Sequence, residues 1–435
     1  MAYLSRNYAP EGRELARLLR RASDTTSTVQ QQVADIIRRV ASGGDAALFA
    51  FEKQFAKADL ASLSVSEGEF AEAEALVPDS LKDALAQAYG NIRAFHEVQL
   101  PQGESLTVSE GIELSRKIVP IQRVGLYVPG GTAPLISTTL MLGIPAQVAG
   151  CRDVVLCTPA DSSGKVHPAI LYAASLCSIS QVFKLGGAQA IAAMAYGSES
   201  VPKVDKIFGP GNQYVTEAKK QVSTSCCAID MPAGPSEVMV VATVDADPSF
   251  VASDLLSQAE HGMDSQSMLV ILGEKESGFA FLDKVEEQLS VQLEALERQS
   301  YLLSSLSHSH AFVCPTLAMA AKVVNEYAPE HLIINTADPL ELESLVVNAG
   351  SIFLGPYSCE SAGDYASGTN HTLPTNGWAH SYSGVSTDSF VKKITIQSLS
   401  RQALVDLSRT LVTLAEAERL TAHRNAVLIR LGGER

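Results

Sequence analysis

Four polar residues in the second half of the chain could together bind a metal ion. Gln258 and His261 lie three positions apart and share one face of a predicted helix, Asp364 lies in a glycine-rich stretch, and His423 lies on the last predicted helix. A mixed nitrogen and oxygen donor set suits zinc better than calcium. His261, Asp364 and His423 also have ordinary roles, as a helix-end histidine, a turn aspartate and a surface histidine, so spacing alone leaves this site open.

A carboxylate and an imidazole stand side by side at Glu330 and His331, just before a predicted strand. Such a pair could take up and release protons near neutral pH. Neighbouring strand residues point to opposite faces, so both side chains reach one site only where the backbone is irregular, which Pro329 would allow. The alternative is an ordinary pair of residues at the start of a strand.

Glycine turns recur where a predicted strand gives way to a helix, at residues 130–131, 186–187 and 209–212. Main-chain N–H groups and the helix dipole at such turns suit a pyrophosphate. The dinucleotide fingerprint is incomplete, because Tyr214 stands where the third glycine would fall. Nucleotide binding and plain strand-to-helix turns therefore both stay open.

Short apolar runs that alternate with helical patterns predict two successive α/β units with parallel sheets. The predicted strands lie near residues 124–128, 154–157, 182–185 and 206–208, and then near 237–242, 267–272, 311–314, 331–335 and 351–354. Helical periodicity predicts helices before them, near residues 33–55 with an interruption at 42–44, and near 69–100. Residues 356–388 have no periodicity and are a candidate functional loop, and one long helix is predicted near 399–429.

Composition excludes several classes of protein. The chain has 435 residues, 46% of them hydrophobic, and a formal net charge of −15. That charge argues against binding to nucleic acid or to an anionic membrane surface, and no apolar run approaches the length of a membrane span. Seven cysteines without a CxxC pair, and a start without the apolar core of a signal peptide, favour reduced thiols in a cytoplasmic protein.

Several long motifs resemble those of the histidinol dehydrogenase family. The two most specific are IDMPAGPSE at residues 229–237 and SDLLSQAEH at 253–261. The resemblance runs from about residue 33 to 428, with the further motifs GGAQ (186–189), FGPGN (208–212), APEH (328–331), ESAGDYASG (360–368) and AERLTAH (417–423).

The resemblance implies an NAD-linked, zinc-dependent oxidation of L-histidinol to L-histidine through bound L-histidinaldehyde, the last two steps of histidine biosynthesis. Glu330 and His331 would be the catalytic pair, and one zinc ion per subunit would be held by Gln258, His261, Asp364 and His423. Three residues on the glycine turns or near them would contact NAD, namely Tyr127, Gln189 and Asn212. Ser236 and Glu418 would bind the substrate, together with His331 and the four metal ligands.

The implied fold is α/β, with two tandem incomplete Rossmann-like domains (doubly wound parallel sheets) and helical N- and C-terminal arms. The expected division is an N-terminal arm (1–28), a first domain (29–115 plus 237–378), an NAD-binding second domain (116–236) and a C-terminal helical arm (379–435). The C-terminal arm would be exchanged in a homodimer and bring Glu418 and His423 to the partner's site. Residues 161–168 are expected to form a surface connection away from the site.

Three other functions stay open on the sequence. A relative of this family could oxidise another small polar alcohol with the same zinc and NAD. Two α/β units also describe two-lobed binding proteins without activity, but those exported proteins need a signal peptide. A zinc hydrolase would use the metal on water and would not depend on NAD.

Overall fold

The computed structural model describes residues 3–21, 27–130 and 134–433 of the chain. Within them, parallel sheets are covered by helices, which confirms the predicted α/β class. Gly131 and part of the predicted N-terminal arm lie outside the described residues. In the part of the chain that is described, no helix combines the length and apolar character needed to cross a bilayer.

A short strand and a series of helices open the chain. They are β1 (Ser5–Tyr8), α1 (Gly12–Leu18), α2 (Ser27–Phe55), α3 (Glu67–Leu76) and α4 (Asp79–Glu97).

Two backbone features shape these helices. The predicted interruption of α2 is confirmed at Gly44, whose φ of +49° breaks the helix and where a Cβ would lie 2.2 Å from the Glu199 carboxylate. The prediction of one helix over residues 69–100 is wrong. Pro78 cannot donate a main-chain hydrogen bond and favours the extended backbone seen at Val77, so α3 ends there and α4 begins anew.

The next segment holds two antiparallel strands and then the first α/β unit. Its elements are β2 (Glu104–Ser109), β3 (Ile112–Pro120), β4 (Arg123–Tyr127), α5 (Ile136–Ala149), β5 (Asp153–Thr158), α6 (Pro168–Leu176), β6 (Gln181–Lys184), α7 (Gly187–Tyr196), β7 (Lys206–Phe208), α8 (Gln213–Ser223) and β8 (Ala228–Ile229).

The first parallel sheet has the strand order β6-β5-β4-β7-β8. In chain order this is 3-2-1-4-5, the classic dinucleotide-binding order without its sixth strand, and ligands of such sheets bind beyond the carboxyl ends of the strands. Helices α2, α3 and α4 pack on this sheet and its helices, and their buried residues share hydrophobic clusters with β4, β5, α5 and α7. The predicted grouping of residues 29–115 with 237–378 stays a prediction, and this packing favours counting α2–α4 with the first sheet.

The second α/β unit follows directly. Its elements are β9 (Glu237–Thr243), α9 (Pro248–Ala259), β10 (Gln266–Leu272), α10 (Lys275–Leu293), α11 (Gln299–Leu306), β11 (His310–Cys314), α12 (Leu317–Tyr327), β12 (His331–Asn335), α13 (Pro339–Glu343), β13 (Ser351–Leu354) and α14 (Glu360–Tyr365).

The second sheet repeats the order of the first, β11-β10-β9-β12-β13, and β1 adds a parallel strand at the β11 edge. Its central strands β9 and β10 are buried on both faces, and this is why their sequences are continuous hydrophobic runs. Glu237 and His331 are the first residues of β9 and β12. The amino edge of this sheet, rather than its carboxyl edge, therefore carries candidate catalytic residues.

The chain ends in one strand and two helices, β14 (Val391–Leu399), α15 (Arg401–Ala417) and α16 (Thr421–Arg430). The prediction of one long helix over 399–429 is wrong, because Arg419 adopts a left-handed backbone (φ +59°) between α15 and α16. Strand β14 pairs antiparallel with β3, which pairs with β2. Ala403 and Ala415 are the buried residues of these two helices within the described chain, so the segment is largely exposed.

Candidate functional site

A histidine and two carboxylates converge between the C-terminal end of α9 and helix α14. His261 Nε2 lies 3.7 Å from Asp364 Oδ2 and 3.8 Å from Glu360 Oε1. Donor atoms of these three residues all lie within 4.8 Å of one another. Zinc ligands about 2.1 Å from a common ion are separated by distances of this size, so the group fits a metal ion. Glu360 was missed by sequence reasoning, although it precedes Asp364 by four residues on the same helix face.

Gln258 completes this group from the last turn of α9, three residues before His261. It is fully buried, and its amide lies between Glu360 and the main chain of Glu237. With its nitrogen toward Glu360 Oε1 (2.6 Å) and its oxygen toward the Glu237 N–H (3.2 Å), both ends are satisfied. The reverse orientation presents the amide oxygen to the Glu360 carboxyl group, which is favourable with a cation between the two oxygens or with a proton on Glu360. The donor set therefore fits a metal ion in that orientation.

The side chains of Glu330 and His331 both reach this site, as proton transfer by the pair requires. Ala328 has a left-handed backbone (φ +52°) just before Pro329, and this irregular entry to β12 lets both neighbouring side chains lie inside. Glu330 Oε2 accepts a hydrogen bond from Glu237 N at 2.8 Å and lies 3.7 Å from His331 Nδ1. Among the described residues, His331 Nε2 is buried without a hydrogen-bond partner, and Asp364 Oδ1 is 3.5 Å away.

The crowding of carboxylates changes the acidity of this pair. Burial raises the pKa of Glu330 to about 8, although the nearby His331 opposes the rise. Burial disfavours the charged form of His331, but Glu330, Glu360 and Asp364 outweigh it and raise the pKa of the imidazole to about 10. Burial also raises the pKa of Glu360 well above its ordinary value. A carboxylate and an imidazole with such shifted pKa values are suited to proton transfer.

A cavity of about 1090 Å³ lies at the carboxyl edge of the first sheet. Tyr127, Gln189 and Asn212, the three residues expected to contact NAD, all line it. They lie at or after the ends of β4, β6 and β7, which is where a doubly wound sheet binds its ligand. The cavity is large enough for a dinucleotide, because pockets for small ligands commonly measure about 300–1,000 Å³.

The glycine turn after β6 carries a buried carboxylate that sequence reasoning missed. Glu52, on α2, accepts hydrogen bonds at Oε1 from Gly186 N (3.2 Å) and from Gln189 Nε2 (2.9 Å). Burial raises the pKa of Glu52. The phenol oxygen of Tyr127 accepts from Gly187 N at 3.0 Å. Nothing in the local sequence pairs Glu52 with a turn more than 130 residues away.

The turn after β7 is held by a buried ion pair. Lys219 Nζ lies 2.5 Å from Asp230 Oδ1 and donates to the Gly209 carbonyl at 2.7 Å, and Gly209 N donates to Asp230 Oδ2 at 2.8 Å. A Cβ at Gly209 would lie 2.2 Å from the main-chain oxygen of Tyr127. The pair therefore fixes the main chain that leads to Asn212, which caps α8.

One expectation about the surroundings of the site is wrong. Residues 161–168 were expected to form a surface connection away from it, yet Asp161, Lys165 and His167 line the cavity. The segment folds back because the Asp161 carboxylate accepts from the main chain of Ser163 and Lys165, and Lys165 pairs with Glu72 on α3.

The remaining expected site residues lie elsewhere in the single chain. Ser236 is partly buried directly before Glu237. Glu418 follows α15 and His423 lies on α16, and both side chains are exposed. Within the described residues, His423 is not part of the group formed by His261, Glu360 and Asp364. One chain thus brings together Gln258, His261, Asp364, Glu330 and His331, and does not bring His423 to them.

Comparisons with known proteins agree over nearly the whole chain. The family model described as histidinol dehydrogenase matches residues 19–431. The chain is 52% identical over 422 residues to a histidinol dehydrogenase from Bacteroides fragilis, covering 97% of each chain. It is 50% identical over 423 residues to one from Vibrio vulnificus, covering 97% of this chain and 96% of that one.

A solved structure agrees equally well. The crystal structure of histidinol dehydrogenase from Elizabethkingia anophelis matches with a TM-score of 0.95 and 46% sequence identity, covering 99% of both chains. This likeness in sequence and in fold extends to every element that carries the site described above. The chain therefore belongs to the histidinol dehydrogenase family of oxidoreductases.

Proposed function

We propose that this protein oxidises L-histidinol to L-histidine in two NAD-dependent steps at a zinc site, as the last two steps of histidine biosynthesis. The observation that supports it best is the convergence of Glu330 and His331 with Gln258, His261 and Asp364 at one place. The cavity lined by Tyr127, Gln189 and Asn212 supports NAD as the hydride acceptor.

Zinc, when bound, supplies a positive charge that orients the imidazole and amine of the substrate. Gln258, His261 and Asp364 would hold it, and Glu360 either joins them or orients Gln258. A cation among these carboxylates also offsets the charges that raise the pKa of His331, so the imidazole can be neutral and accept a proton.

In the first oxidation, His331 takes the proton of the substrate alcohol while a hydride leaves the same carbon for NAD. In the second, Glu330 takes a proton from water as that water adds to the aldehyde, and a second hydride leaves for a second NAD. One alcohol, one water and two NAD thus give one carboxylate, two NADH and three protons. Burial of the pair keeps the reactive aldehyde from bulk water between the steps.

In this proposal, His423 and Glu418 act in the site of a second copy of the chain. Both lie on the exposed C-terminal segment, and the three-stranded sheet that it joins leaves Leu106, Ile394 and Ile396 exposed. An exposed apolar surface of this kind marks an interface. We propose a homodimer in which the C-terminal arm (379–435) brings His423 to the partner's zinc and Glu418 to its substrate.

The cellular compartment and the absence of a nucleic-acid or membrane partner are proposed as well. All seven cysteines are free, which supports a reducing compartment and thus the cytoplasm. The net charge of −15 supports neither nucleic acid nor an anionic membrane as a partner.

One assay tests the function. Purified protein is mixed with NAD and a limiting amount of L-histidinol, and NADH absorbance is followed to completion, before and after chelator treatment and zinc addition. We expect two NADH per L-histidinol, lost with the chelator and restored by zinc. One NADH per substrate would contradict the second oxidation, and no NADH from folded, zinc-loaded protein would contradict the substrate.

A further inference from the structure

A buried ion pair lies directly behind the proposed base Glu330. Arg21, at the end of the described N-terminal segment, donates to both carboxylate oxygens of Glu237, through Nε at 2.5 Å and Nη2 at 2.8 Å. Arg21 is 15% exposed and Glu237 is 3% exposed. A bidentate guanidinium pair of this kind is both strong and geometrically specific.

Arg21 also holds the chain segment that leads to Glu330. Its Nη2 donates to the carbonyl of Tyr327 at 2.6 Å, and its guanidinium lies 3.9 Å from the centre of the Tyr327 ring. Tyr327 ends α12 and is followed by the left-handed Ala328 and by Pro329. The same side chain therefore fixes the helix end that leads through Ala328 and Pro329 to Glu330.

Glu237 completes the connection through its main chain. Its N–H donates to Glu330 Oε2 at 2.8 Å, and its carbonyl lies 3.3 Å from His331 Nδ1. Its side chain accepts from Asn376 N at 2.9 Å as well as from Arg21. If Glu237 lost Arg21, its side chain would move. That movement would displace the Glu237 peptide, whose N–H donates to the Glu330 carboxylate.

We propose that Arg21 is a positioning residue for Glu330, because its guanidinium balances the buried Glu237 carboxylate and fixes the peptide and helix end that orient Glu330. The proposal rests on the proposed function. It gives the N-terminal segment a role in the second oxidation, although Arg21 itself touches none of the reacting atoms. Helix α1 anchors this segment through the buried residues Leu15 and Leu18.

The test compares the two oxidations in Arg21→Met, Arg21→Lys, Glu237→Gln and the double variant R21M/E237Q. L-histidinol and L-histidinaldehyde are supplied separately with saturating NAD to the zinc-loaded protein. In R21M we expect aldehyde oxidation to fall by about 100-fold, the size of effect that a displacement of about 1 Å can produce. Alcohol oxidation should change far less, because the Glu237 peptide contacts His331 at 3.3 Å but Glu330 at 2.8 Å. R21K, which keeps the charge without the bidentate geometry, should lie between R21M and the unchanged protein.

The double variant separates charge balance from general structural damage. R21M/E237Q leaves no uncompensated charge, so its aldehyde oxidation should exceed that of R21M. If R21M is not stable enough to purify, R21M/E237Q is compared with E237Q. The loss of Arg21 should cost less in that background than in the unchanged protein, because the hydrogen bond to the Tyr327 carbonyl is then lost but no ion pair is. Equal losses in both oxidations, or no recovery in the double variant, would overturn the proposal. Failure of the unchanged protein to oxidise either substrate would instead overturn the proposed function.

Discussion

The imidazole of His371 joins the main chain of Asp364 to the side chain of Thr138. Its Nδ1 lies 2.9 Å from the Asp364 carbonyl oxygen and its Nε2 lies 3.1 Å from Thr138 Oγ1. Thr138 is on α5, four residues after Pro134, which lines the cavity, so this ring links the two parts of the site. Burial lowers the pKa of His371, which makes the ring neutral at neutral pH. A neutral ring that donates from Nδ1 must accept at Nε2, and the Thr138 hydroxyl is that donor.

This contact makes Thr138 a test of the link. Thr138→Val removes the hydroxyl while keeping a similar shape, so it leaves the acceptor of His371 buried without a partner. We expect a loss of about 1–3 kcal/mol in the free energy of unfolding, measured by urea denaturation. Thr138→Ser keeps the hydroxyl and serves as the matched control. A valine variant as stable as the serine variant would show that the hydrogen bond contributes nothing.

The parts of the fold that were predictable are those in which local pattern and tertiary environment agree. Residues of β9 and β10 are apolar without interruption because both faces of the second sheet are buried, and the structure confirms both strands. Strand β2 was not predicted, because only Leu106 and Val108 alternate with polar residues there and the strand is exposed along its whole length. The pairing of β3 with β14 joins residues far apart in the chain, so it could not be predicted from local sequence patterns either.

The sequence predicted those site residues whose short spacing in the chain brings their donor atoms together. Gln258 on α9 and His261, two residues beyond its end, are of that kind. Glu52 and Arg21 were not found, because each acquires its role from a partner more than 130 residues away. The position of Glu330 and His331 at the start of a strand was predicted, and the structure confirms it, although this is the less usual edge for a ligand. Parallel sheets usually bind ligands at their carboxyl ends, whereas Glu330 and His331 lie at the amino end of β12.

The carboxylate of Glu52 should affect the binding of NAD more than the chemistry. Glu52→Ala removes the acceptor of both Gly186 N and Gln189 Nε2, and frees Gln189 to leave the cavity wall. We expect the KM for NAD to rise by about tenfold with little change in kcat, measured at saturating L-histidinol. Glu52→Gln keeps an acceptor oxygen and is the control, with a smaller rise in KM. An unchanged KM in Glu52→Ala would contradict the positioning of Gln189 by this residue.

The pair Lys219 and Asp230 should matter chiefly for stability. Lys219→Met leaves Asp230 as an uncompensated buried charge, and breaking a buried pair in this way costs about 3–5 kcal/mol. Asp230→Asn in addition removes that charge, so the double variant should recover much of the loss. Urea denaturation of the single and double variants measures both values. A double variant less stable than K219M would rule out charge compensation as the reason for the pair.

Metal binding should release protons from the carboxylate group. Because burial raises the pKa of Glu360 well above its ordinary value, this residue carries a proton in the metal-free protein, and a cation displaces it. Calorimetry of zinc binding in buffers of different ionisation enthalpy measures the number released. Glu360→Gln should release fewer protons and bind zinc more weakly, whereas Glu260→Gln, which changes an exposed carboxylate, should do neither. The same proton release in Glu360→Gln would place the proton on another group.

The pH dependence of the second oxidation should reveal the raised pKa of Glu330. A general base works only in its deprotonated form, so a pKa raised to about 8 means that the rate increases with pH up to about 8 and levels off above it. An ordinary carboxyl group would give a constant rate over that range. The measurement is the rate of L-histidinaldehyde oxidation as a function of pH at saturating NAD.

Glu330→Gln should lose aldehyde oxidation while retaining more of alcohol oxidation, because His331 remains in place. Glu326→Gln changes an exposed carboxylate on α12 and should leave the profile unchanged. Equal loss of both oxidations in Glu330→Gln would mean that Glu330 is not the base that distinguishes the second step from the first.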